Sequence, residues 1–218
     1  MSTGKEFWWN WWVNFGVAIA TFAAVFVALF GEWIRAHLFS PKLILKLRSE
    51  LGEKTPVTLQ WQDENGTAHQ RTEDARYYHI KVSNRARWPR ANQVQVYLLR
   101  VEEPGPDGEL KISWSGEIPI QWMHQQIHPL ARTIGPAANC DLCSVVKGKW
   151  VQLHPLIVPN NLAAVRREPT TMVVSLQARA NEGESAITRF QISWDGKWDD
   201  GETEMARHLV VRELTNRA

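Results

Sequence analysis

Cysteine is scarce in this sequence: Cys140 and Cys143 are the two among 218 residues. A disulfide framework is therefore excluded, and a chain of this length can bury a full core without one. The familiar catalytic signatures are also missing. There is no G-x-S-x-G elbow, no Walker A loop, no G-x-G-x-x-G and no H-E-x-x-H, which removes the common hydrolase, nucleotide and zinc-protease sites and points to a non-enzymatic protein. Charged residues make up 22% and apolar residues 44%, with no long run of one charge sign, so the body is neither disordered nor fibrous. A net charge of +2 and a pI near 8.6, without a basic stripe on a helix, give no reason to expect a nucleic-acid partner.

What the sequence has in excess is tryptophan. Of the 12 tryptophans, Trp8, Trp9, Trp11, Trp12 and Trp33 fall near the N-terminus. Between Phe7 and Gly31 no residue is charged, and the stretch from Val13 to Phe30 is long and apolar enough to predict a spanning helix over 7–34. The five indoles then read as interface anchors, since Trp prefers the headgroup level. Trp12 and Trp33 would sit about 31 Å apart along such a helix, close to the hydrocarbon thickness. The alternatives are a buried core helix and a cleaved signal peptide. A signal peptide wants a basic start, yet Lys5 is balanced by Glu6 and four Trp precede the apolar run. Arg35, Lys42, Lys46 and Arg48 follow the span, against Lys5 alone before it. The positive-inside rule therefore places the C-terminal body in the cytoplasm.

On a helical projection Gly16, Ala20, Ala24 and Ala28 form a stripe of small residues at four-residue spacing, while Phe15, Ile19, Phe22, Phe26 and Leu29 gather on the other side. Small residues let two helix backbones approach in lipid, so this face is a candidate helix–helix interface for a homo-oligomer or a partner's span. Ala18, Val17 and Val27 blur the segregation, and alanine is common in spans.

After a linker over 35–42 the period changes to two. Alternating β-branched and aromatic runs are read as strands at Leu43 to Arg48, Val57 to Trp61, Tyr77 to Asn84, Gln93 to Val101 and Leu110 to Trp114, followed by Ile118 to Met123, Leu142 to Val146, Trp150 to Leu153, Met172 to Ala180 and Ala186 to Trp194. Short strands at this spacing predict an all-β sandwich over 43–218. Asn181-Glu182-Gly183-Glu184 reads as a hairpin turn with Gly183 available for positive φ, and Glu204 to Leu214 as a short helix or a last strand.

Tyr78, Ile80, Val82 and Asn84 on one run, then Ala91, Asn92, Val94 and Val96 on the next, carry a family resemblance. Strand, polar turn and Asn-x-Val-x-Val resemble the immunoglobulin-like β-sandwich modules that uncharacterised bacterial proteins carry behind one N-terminal span. The match covers a small part of the chain, and no Cys-Trp-Cys core is present. The resemblance implies a binding or scaffolding module at a bacterial inner membrane, in a layout that includes partners in bacterial stress and phage-defence systems.

Among the remaining motifs, Cys140 and Cys143 with His124 and His128 are the best metal candidates, since a CxxC and an HxxxH supply thiolate and imidazole ligands. On a regular strand 140 and 143 face opposite ways, so the expectation is ordinary buried side chains and no cofactor. The Q-x-H-P-L echo at Gln126 and Gln152 reads as a coincidence or as two related strand ends, where proline, lacking a ladder donor, terminates pairing or sits at an edge. Asp195, Asp199, Asp200, Glu202 and Glu204 depart from calcium-loop spacing and read as a solvated loop. Positive charge is concentrated in residues 41–100, where Arg85, Arg87, Trp88 and Arg90 share one predicted loop, a candidate site for anionic headgroups, phosphates or an acidic partner. Together these features predict a membrane-anchored protein-interaction module. The alternative is an oligomeric membrane effector of a stress or phage-defence system that perturbs the bilayer through its span, and a weaker one is a metal-dependent enzyme.

Overall fold

The computed structural model describes residues 3–38, 41–63, 66–86, 90–123 and 130–214. It divides into two units, Met1–Ser40 and Pro41–Ala218. The first is one helix, α1 (Thr3–Leu38), of which Trp8–Gly31 is long and apolar enough to cross a membrane. Every side chain from Trp8 to Phe30 is exposed, unlike those of a core helix. The one hydroxyl in this stretch, Thr21, donates to Val17 O at 2.8 Å and so satisfies itself within the helix. Trp11 stacks on Phe15 four residues on, with ring centroids 5.3 Å apart.

The second unit is a β-sandwich of two antiparallel sheets. In chain order its strands are β1 (Leu43–Leu47), β2 (Glu53–Gln62), β3 (Ala68–Asn84), β4 (Ala91–Pro104), β5 (Leu110–Pro119), β6 (Arg132–Ile134), β7 (Ala137–Val146), β8 (Trp150–Leu153), β9 (Val165–Arg166), β10 (Thr170–Ala180), β11 (Gly183–Glu184) and β12 (Thr188–Trp194); helix α2 (Glu202–His208) then leads into β13 (Leu209–Leu214). The first sheet runs β1-β3-β7-β8-β9, with β2 also on β3, and the second runs β13-β12-β10-β4-β5, with β6 on β4 and β11 on β10. Tyr78, Ile80 and Val82 from the first sheet meet Val96, Leu176, Phe190 and Ile192 from the second in one core, each at most 1% exposed.

The strand register shifts at several places, and two of these bulges change which residues face the core. Between Tyr78 and His79 the partner strand spends an extra residue, so that Tyr78 pairs with Cys143 and His79 with Asp141. Cys140 and Cys143 consequently both face the core, each fully buried, which corrects the expectation of opposite faces. A second shift near Leu98 and Arg100 lets Leu98 and Val101 both point inward.

Three further expectations change. Ile118 to Met123 is not a separate strand: β5 ends at Pro119, and the chain crosses between sheets, with Ile120 bridging Pro155 and Trp122 bridging Cys140. The turn at 181–184 closes on Asn181 and Glu182, and Gly183 pairs with Ala180 without a positive φ. The tail is both a helix and a strand, α2 and then β13. Among the tryptophans of the sandwich, Trp114, Trp122 and Trp194 are buried, whereas Trp61 is 48% exposed.

Candidate functional site

Where the sequence indicates a short strand, β2 and β3 form a ten-rung ribbon from Glu53↔Tyr77 to Gln62↔Ala68. Its turn is built locally. Gly66 N–H donates to Asp63 O at 3.0 Å with Gly66 at φ 79, a conformation that favours glycine, and Asp63 Oδ1 accepts from Thr67 N–H at 2.8 Å. This turn chemistry extends the pairing through Ala, Glu, Asp and Lys residues of weak strand preference.

Alternation gives the ribbon two unlike faces. Val57, Leu59 and Trp61 line one, and Pro56, Thr58 and Gln60 the other. Trp61 stacks on its cross-strand partner His69, centroids 5.5 Å apart, and His69 Nε2 lies 3.1 Å from Asp63 Oδ2. At the tip Gln60, Trp61, Gln62, Ala68, His69 and Gln70 line a shallow depression. An apolar stripe on a two-stranded ribbon gains little within its own chain, because a hairpin alone is marginally stable in water.

At the ribbon's root the outward face of the first sheet holds a network that sequence reasoning missed. His79 Nδ1 is 2.8 Å from Asp141 Oδ1, and His79 Nε2 is 3.6 Å from Glu53 Oε2. Tyr77 stacks between His79 and His154, and His154 Nε2 is 2.8 Å from Ser144 Oγ. Burial pushes His154 down, against the charge of Asp141, and pushes Tyr77 up. A serine beside an imidazole resembles a nucleophilic pair. Ser144 is only 2% exposed, however, so its hydroxyl is closed to a substrate and serves to satisfy buried neighbours.

The other expected sites resolve as follows. Arg85 and Arg90 are exposed on either side of the β3–β4 connection, while Arg87 and Trp88 lie outside the described residues. Asn84 accounts for the start of that connection: its Oδ1 accepts from Lys42 N–H and Ala86 N–H, each at 3.1 Å. Asn92, the second asparagine of the motif, donates through Nδ2 to Glu182 Oε1 at 3.1 Å. Burial pushes both cysteine thiols far up, away from the thiolate a metal needs. Among the described residues no group of three or more metal-binding side chains occurs, and His124 and His128 lie outside them.

Of the carboxylates read as a solvated loop, Glu202 and Glu204 stand exposed on α2, and Asp195, Asp199 and Asp200 are internally employed. Asp200 joins Lys54 at 3.0 Å to Lys147 at 2.9 Å, which holds its carboxyl well below the usual range, and Asp195 Oδ2 lies 2.8 Å from His208 Nδ1. On α1, Gly16, Ala20, Ala24 and Ala28 are exposed, as are Trp8, Trp9, Trp11 and Trp12. Trp33 belongs to the same helix, but its side chain is outside the described residues.

No protein-family model and no curated protein matches this chain.

Proposed function

We propose that the chain is a membrane-anchored, non-enzymatic interaction module: α1 holds it in a bacterial inner membrane and the sandwich recognises a protein partner in the cytoplasm. The observation that carries this reading is the β2–β3 ribbon, which presents an apolar stripe ending in a 48%-exposed Trp61 beyond the packed core. Tryptophan contributes disproportionately to protein interfaces, where one rigid ring buries a large area at low entropic cost. The basic flank after the apolar run supports the orientation. Replacing Leu59 and Trp61 with serine should leave the melting temperature of the body within a degree or two, because both lie outside the core cluster. The same variant should lose co-purification with the partner by at least tenfold. Unchanged recovery would remove the ribbon from recognition.

The second reading, an oligomeric effector acting through its span, is favoured by one observation. A Cβ at Gly16 would meet nothing within 4 Å, so the helix itself does not require glycine there. Replacing Gly16, Ala20 and Ala24 with leucine should lower the mass of the detergent-solubilised protein if that face joins helices. An unchanged mass would leave the span as an anchor.

A further inference from the structure

The outward face of β1 and β3 sets like charges against each other. Lys46 stands directly opposite Lys81, and one step past the strand ends Arg85 N–H donates to Lys42 O at 2.9 Å. Leu43, Leu45, Ile80 and Val82 fill the core, so alternation sends Lys42, Lys46 and Lys81 outward, and all four basic residues are exposed. Like charges placed directly opposite destabilise a strand pair. Three other exposed cations of this sheet and its connections are answered: Arg48 by Glu53 at 2.8 Å, and Lys54 and Lys147 by Asp200. Among the described residues none of Lys42, Lys46, Lys81 and Arg85 has an ion-pair partner. The carboxylates on the same face, Glu53 and Asp141, are engaged by Arg48 and His79.

We infer that this face binds the anionic phospholipid headgroups of the membrane that anchors the chain. The inference rests on reading α1 as a span. Lys42 follows the last helical residue, Leu38, by four positions, so the patch begins in the juxtamembrane segment, where basic residues are drawn to an anionic surface. The strand ladder spreads the two charge pairs over about 13 Å, a flat array suited to several headgroups rather than to one ligand. Asn84 fixes that array by holding both Lys42 and Ala86 through their backbone N–H groups. An anionic surface relieves the repulsion between the pairs, and the attraction is salt-sensitive because charges at a surface are screened within a Debye length.

The test uses the full chain in nanodiscs of phosphatidylcholine, with or without phosphatidylserine. A fluorophore is placed at Ser83→Cys, between the two charge pairs, and in a second protein at Glu109→Cys, in the β4–β5 turn at the far end of β4. The native cysteines are buried and do not compete for the label. Quenching by headgroup-attached nitroxide should increase several-fold with phosphatidylserine at position 83 and not at 109, and high salt should reverse it. Lys46→Gln with Lys81→Gln should cut the lipid-dependent part by more than tenfold, since each basic residue near such a surface is worth roughly fivefold in affinity. The same double variant should melt no lower than the parent, because it removes a repulsion. Quenching at position 83 that ignores phosphatidylserine, or that survives the double variant, overturns the inference. So does protection of the patch by a soluble polyanion alone, which would assign it to an acidic macromolecule. A chain stripped from the discs by alkaline carbonate fails earlier, at the span, and takes the inference with it.

Discussion

Arginine substituted for both Ile19 and Phe22 is expected to release the chain from membranes that hold the parent protein against alkaline carbonate. Both positions lie near the middle of the Trp8–Gly31 stretch, on the bulky side of the helix and away from the Gly16 stripe, so the change tests spanning rather than helix association. Each arginine at the centre of a span costs about 2.5–3.5 kcal/mol on insertion scales. Two together, about 5–7 kcal/mol, shift the partition by roughly four to five powers of ten. The intact mass of the parent separates the span from a signal sequence: a retained N-terminus with carbonate resistance fits an anchor, and a chain shortened within the apolar stretch fits cleavage.

The second large effect belongs to the sandwich. Phe190→Ala removes a fully buried ring from β12, opposite Val174 on β10, at the centre of the core. Truncations of this kind cost about 3–5 kcal/mol, a large part of the 5–15 kcal/mol that holds an ordinary domain together. For a body of this size that corresponds to a fall in melting temperature of roughly 6–20 °C. Thermal unfolding of the full chain in detergent, followed by near-ultraviolet circular dichroism, reads it directly. A shift as small as that expected for the Leu59 and Trp61 serine variant would mean that the two sheets do not share this core.

The fold class was legible because period-two alternation with Gly, Pro, Asn and Asp breaks is a local signal, and the apolar run needs only its length. What alternation could not carry is a change of phase. Bulges at Leu142 and near Leu99 reverse the facing of everything beyond them, and this alone turned Cys140 and Cys143 from opposite faces to the same one. Arg76 hid the start of β3 for a related reason. It continues the inward series of Tyr78, Ile80 and Val82 and is fully buried, donating to Leu51 O at 3.1 Å, yet a guanidinium does not look like a core residue. The ribbon was half visible: Val57, Leu59 and Trp61 alternate plainly, whereas the turn set by Asp63 and Gly66 is what makes their strand long. The network of His79, Asp141, Tyr77, Ser144 and His154 left no trace in the sequence, because it depends on the pairing of three separate segments. The patch of Lys42, Lys46, Lys81 and Arg85 was foreshadowed only as a local excess of positive charge, since register decides which cations face each other.

The central claim, recognition through the ribbon of a membrane-held body, is tested most directly by site-specific photocrosslinking in intact cells. A photoreactive residue in place of Trp61 should yield one discrete adduct in the membrane fraction, absent when the same residue replaces Ile112, a somewhat more exposed apolar side chain on β5. The same adduct at both positions, or none at position 61, would contradict the account.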